Sequence, residues 1–278
     1  MRKPPRFSLL LAGLGGLLLP LTGWAGQWVA DPMTGTEVWA KGDKPNQSVS
    51  WSGGAQDGKA HGPGVLTWID DGEIAGRFVG EMVAGKAEGV GEIWFHRSEE
   101  GYIHYAGEIV GSEVHGVGAA MLPDGTLIEG EFANDALNGR VRITRDDGSS
   151  YTGFVADNKP HGRGLQITAD GERYLGEFVD GKREGRGTLV YANGDLYEGD
   201  FADDVPHGTG SIRTVEGGQF TGPFVNGKPH GEGDIVTPTG ETTRGELIHG
   251  KPHGDYTLVA ADGTTRVETW QDGEKVTP

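Results

Sequence analysis

The chain runs to 278 residues with 51 glycines, no cysteine and a formal charge of −17. Glycine at more than double its usual share of about 7%, beside a hydrophobic share of 35%, excludes an ordinary helical or doubly wound domain and points to a repetitive, extended architecture. The negative charge argues against nucleic acid and against direct binding to anionic membranes, and the lack of cysteine excludes disulfides, a thiolate metal site and a cysteine nucleophile.

Residues 1–25 read as a secretory signal peptide. Arg2, Lys3 and Arg6 precede the apolar run Ser8 to Leu21, and the small residues Gly23 and Ala25 suit cleavage near Ala25. About 14 apolar residues are too few for a bilayer that needs about 20. The mature protein is therefore expected in the periplasm or outside the cell. Residues 26–50, with Pro32 and Pro45, read as an N-terminal cap or linker.

From residue 51 a 23-residue period sets in. Units start at Tyr105, Ile128, Tyr151, Tyr174, Tyr197, Phe220 and Thr243, and two earlier units start at Trp51 and Phe78 with four extra residues each. Those extra residues are expected in the outer turns, around Asp70 to Gly76 and Arg97 to His104. A partial tenth unit from Arg266 carries the pattern to about residue 273, and 274–278 are a tail. Such a period signals a stacked repeat array.

Each unit reads as one β-hairpin. Offset 2 from the start is always Gly, as in Gly176 and Gly199, between aromatic residues at offsets 0 and 4 such as Tyr174 and Phe178. Positions 0, 2 and 4 of a strand share a face. Offset 7 is Gly, Asn, Asp or Ser, residues that accept the left-handed backbone of a tight turn. Offset 11 is always Gly, a second strand follows from Leu189 or Ile212, and Asp-Gly pairs such as Asp147-Gly148 close the unit with a second turn.

The recurring Y-x-G-x-F-x-x-G-K-x-x-G-x-G, best seen from Tyr174 and Tyr197, resembles the MORN repeat over residues 51 to about 273. The resemblance implies an all-β fold, a single-layer, elongated, twisted antiparallel sheet of tandem hairpins with its rings on one face. Thr243 at offset 0, Val141 and Tyr256 at offset 13, Ala55 at offset 4 and the early Phe154 depart from the pattern.

Nothing in the sequence supplies catalytic, cofactor or metal residues. Histidines recur at offset 10 (His61, His115, His161, His207, His230, His253), but equivalent positions two strands apart are separated by roughly 10 Å and cannot share an ion. Carboxylates at offset 3, such as Glu108, Glu177 and Asp200, form a solvent-facing ladder with nothing to distinguish an acid from a base. The Gly-x-Gly pairs lack the context of a phosphate loop.

The leading expectation is a secreted, non-enzymatic interaction or scaffold protein that binds a protein partner or a second copy. Its candidate face is the ring row Trp51, Phe78, Tyr105, Tyr151, Tyr174, Tyr197 and Phe220, which a single-layer sheet would leave uncovered. The alternative is an envelope-carbohydrate module with Trp68 and Trp94 as a stacking platform. For the tryptophan-rich end the cap is the preferred reading, and an enzyme is only a remote one.

Overall fold

The computed structural model describes residues 26–41, 46–96 and 101–276, so the segment expected to be a signal peptide lies outside the described residues. Every helix or strand among the described residues is a strand. They fall into two units divided between Lys159 and Pro160, each an open run of consecutive antiparallel hairpins.

Two turns alternate along the chain. Within a hairpin the strands Arg173–Val179 and Lys182–Val190 are joined by Asp180 and Gly181, with φ of 50° and 88°. Two successive left-handed residues give the turn whose twist matches that of paired strands, which is why Asn, Asp and Gly dominate there. Between hairpins, Gly125 (φ 81°) donates to Leu122 O at 3.0 Å while Thr126 N is held by Asp124 Oδ1 at 2.9 Å. The extra residues of the first unit do not enlarge a turn as expected. Asp71 and Gly72 alone form it, and Glu73 to Gly76 extend the strand Glu73–Val83 against Lys59–Asp70.

The invariant glycine at offset 11 has a separate cause. Gly176 pairs with Gly187, but the next pair is Glu177 with Glu184, so Gly185 and Arg186 are surplus on their strand. This bulge puts Gly185 at φ 64°, and every offset-11 glycine from Gly62 to Gly254 is likewise positive. A side chain would strain that backbone, and a bulge bends its strand. Beyond the bulge, in the turn half of the hairpin, Phe201 opposes Pro206 and Phe224 opposes Pro229.

Glycines at offsets 2 and 13 are seats for rings. A Cβ on Gly176 or Gly187 would run into the Tyr174 ring, and one on Gly199 or Gly210 into Tyr197. Seven of the nine units have an aromatic residue at offset 0 and Gly at offset 13. The two that lack the ring, Ile128 and Thr243, carry Val141 and Tyr256 at offset 13 instead. Tyr256 lies over Gly245 from the opposite strand, so two apparent departures are one compensation.

Ahead of the repeats, Gly26–Ala30 and Glu37–Lys41 form a hairpin with Trp28 edge-on to Trp39 at 5.4 Å. It crosses the turns of the first two repeats: Glu37 N donates to Gly58 O (2.9 Å) and Trp39 N to Gly85 O (2.7 Å). Lys59 and Lys86 lie over the Trp28 and Trp39 rings. Asp31 joins this hairpin to the array by accepting from Trp51 N at 2.9 Å.

Candidate binding surface

The expectation of an uncovered ring strip is overturned. Trp51, Phe78, Tyr105, Tyr151, Tyr174, Tyr197 and Phe220 are all between 0% and 5% exposed. Each tyrosine lies flat on its glycine seat and donates to a carbonyl three residues on, Tyr174 to Glu177 O at 2.9 Å and Tyr197 to Asp200 O at 2.8 Å. Where a unit has a second ring, it locks edge-on against first rings: Phe201 lies 4.8 Å from Tyr174 and 5.2 Å from Tyr197, and Phe224 lies 4.8 Å from Tyr197 and 5.7 Å from Phe220. Alternation along a strand identifies the face, but what packs on that face decides burial, and here the rings of neighbouring units pack on one another. Burial raises the phenol pKa of Tyr105 to about 12, with the Glu108 and Asp135 charges adding to the shift, and raises those of Tyr174 and Tyr197 as well.

One charged residue enters this core. At offset 9, where other hairpins place Ala60, Val114, Leu137 or Pro206, the hairpin that starts at Tyr174 has Arg183. Its Nε and Nη2 donate to Gln166 Oε1 at 3.1 and 2.8 Å, and Nη2 donates to Glu172 Oε1 at 2.8 Å. The two charged side chains are 4% and 6% exposed, and the guanidinium sits 4.8 Å from the Tyr174 ring centroid. Glu172 neutralises the charge and the two partners accept three hydrogen bonds from it, so the cluster is part of the core. Sequence reasoning passed over it because Arg183 falls in a variable position beside a turn.

The outer face of the second unit is open. Cross-strand pairing lines up Leu165, Leu175, Thr188, Glu198, Ser211 and Thr221 in one row. Leu175, Thr188, Glu198 and Thr221 of that row line a shallow groove of about 500 Å³ whose floor is the backbone of Gly187, Gly199 and Gly210. Arg163 and Arg186 stand at its side, and Leu175 is 50% exposed. No candidate residue in the sequence pointed here, although offsets 1 and 14 mark the row.

The tryptophan platform is not built. Trp68 opposes Gly76, which opposes Phe95, whereas Trp94 opposes Arg77 and His104. Adjacent Trp94 and Phe95 point to opposite faces, so Trp68 and Trp94 do too. Trp68 stacks on Phe95 at 5.4 Å across Gly76, and Trp94 stacks on His104 at 4.8 Å.

The offset-3 carboxylates serve the bulge. Glu108 Oε1 accepts from Val117 N (3.3 Å) and Asp200 Oδ2 from Thr209 N (3.0 Å), while a Cβ at Gly116 or Gly185 would collide with Glu108 or Glu177. Among the described residues no group of three or more His, Asp or Glu side chains could hold a metal ion.

A family model of the MORN repeat matches residues 51–73, 151–173, 174–196, 197–219 and 220–242, five of the nine units from the same starting residues. Similar solved structures include the SAS-4 (dCPAP) TCP domain of Drosophila melanogaster in complex with a proline-rich motif of Ana2 (dSTIL). It is 12% identical with a TM-score of 0.36, over 57% of this chain and 84% of that one. The wild-type TCP10 domain of Danio rerio CPAP is 14% identical with a TM-score of 0.36, over 73% of this chain and 91% of that one. Likeness at that level carries nothing about function. No curated protein matches the chain.

Proposed function

We propose, for a chain that belongs to the MORN-repeat proteins, a non-enzymatic protein-interaction role exercised through the outer face of its second unit. The observation that carries this reading is the glycine-floored groove beside Leu175, Arg163 and Arg186. The aromatic row is consumed as core, so the remaining broad apolar contact lies outside, where Leu165 and Leu175 pair across strands and both stay exposed. A shallow channel lined by hydroxyls, Leu175 and two arginines, with Leu165 paired beside it, suits an extended segment of a protein partner. The acidity of the chain disfavours nucleic acid and anionic lipid as partners. We read residues 1–25 as a cleaved signal that sends the protein to the periplasm or beyond, which the intact mass of the exported protein tests.

The binding experiment is capture of partners from envelope extract by the full chain and by Leu165→Glu with Leu175→Glu. Capture lost in the double variant, with an unchanged circular-dichroism spectrum and capture intact in the distant Val267→Glu, supports the outer groove. Equal capture by all three overturns it.

A further inference from the structure

The compensation at Thr243 is incomplete. Tyr256 covers Gly245 and donates to Glu246 O at 2.6 Å, as the offset-0 tyrosines do to their own units. Beside the short Thr243 side chain there remains a partly open cavity of about 210 Å³, walled by Phe220, Leu247, Tyr256, Leu258 and Trp270. Its lining is almost wholly apolar. In the preceding units of this row the corresponding place is held by a ring, Tyr174, Tyr197 or Phe220, seated among other rings.

Trp270 adds a directional feature. Its indole Nε1 is buried and has no hydrogen-bond partner among the described residues, although the residue lines the cavity. A buried donor without a partner is costly, and an acceptor placed in the cavity would relieve it. Among the described residues the rim offers no free cation for an anion. Arg266 is held by Glu241 at 2.6 and 2.8 Å and by Glu268 at 3.1 Å, and Glu268 also accepts from Lys275 at 2.7 Å.

We propose that this cavity is a binding site for a neutral, single-ring aromatic molecule carrying a hydrogen-bond acceptor. Its volume exceeds the roughly 150 Å³ of an apolar cavity known to admit benzene. The walls supply edge and face contacts of the kind that seat the array's own rings, and Trp270 Nε1–H supplies the orienting bond.

Ligand-observed magnetic resonance and calorimetry on the full chain test this with acetophenone, ethylbenzene and benzoate. Acetophenone should bind more tightly than ethylbenzene, which lacks the acceptor, and benzoate should bind least because its charge has no free partner. Trp270→Phe keeps a ring but removes the donor, and should weaken acetophenone about three- to tenfold while leaving ethylbenzene unchanged. Thr243→Phe fills the cavity from its floor and should abolish both. No binding of any probe at millimolar concentration, or binding that survives Thr243→Phe unchanged, overturns the site. Equal affinity for acetophenone and ethylbenzene in the wild type overturns the role of Trp270.

Discussion

The main-chain N–H of Leu137 donates to Asn158 Oδ1 at 2.7 Å, and Asn158 N returns a bond to Leu137 O at 3.1 Å. The same reciprocal pair links Ala87 to Ser112, Val114 to Asp135 and Arg183 to Asp204, always from offset 9 of one unit to offset 7 of the next. Where offset 9 is proline there is no N–H to satisfy, and offset 7 of the next unit is glycine: Pro160 with Gly181, Pro206 with Gly227, Pro229 with Gly250, Pro252 with Gly273. Each of these glycines donates its own N–H to the proline carbonyl. Ala60 with Gly85 departs, at the turn where the Trp28 hairpin docks.

Asn158→Gly should leave the Leu137 N–H without an acceptor and cost about 1–3 kcal/mol. Adding Leu137→Pro removes that donor and recreates the Pro206 and Gly227 arrangement, so the double variant should lose less than the sum of the singles. Urea denaturation in a double-mutant cycle measures the coupling, and strict additivity would contradict the pairing.

Breaking the buried Arg183 cluster should be costly. Glu172→Leu or Arg183→Leu alone leaves one charge without its ion-pair partner and should destabilise by about 3–5 kcal/mol, while both together should cost much less. Denaturant midpoints of the three variants decide the matter.

Burial alone would raise the Asp31 pKa, but N–H groups of Trp51, Met33 and Thr34 together hold it below its ordinary value. A depressed carboxyl contributes stability above the unfolded value of about 3.9 and loses it as pH falls through the folded value. The stability gap between wild type and Asp31→Asn should thus narrow from pH 6 to pH 3, as urea titrations at both would register.

At high pH the sign reverses in direction. Tyr105 and Tyr191 are pushed up to about 12, chiefly by burial. Groups raised in the folded state stabilise it fully below their unfolded value of about 10 and cease to as pH climbs through the folded values. Absorbance at 295 nm should show these phenols resisting ionisation in the folded chain through pH 10.5 and titrating near pH 10 in denaturant.

The hairpin repeat was legible because turn glycines, ring positions and period recur in phase. Burial of the rings was not, since alternation says which residues share a face and nothing of what covers it. Part of the cover is the second ring, as Phe201 packs on Tyr174 and Tyr197, and the bulge at Gly185 and its equivalents shows in the sequence only as an invariant glycine, without its positive φ. Trp68 and Trp94 were read as companions from their clustering in the chain, yet register places them on opposite faces. The pairing of Pro206 with Gly227, and of Thr243 with Tyr256, was present in the residues but is visible only when positions are compared between strands or units.

The central claim is that the aromatic row holds the repeats together and the outer face meets the partner. Equilibrium denaturation of Tyr197→Ser, read beside partner capture, tests it most directly. Removing a fully buried ring should cost about 3–5 kcal/mol and lower the midpoint sharply. A variant with unchanged stability that no longer captures its partner would contradict this and return the ring row to the role of a docking surface.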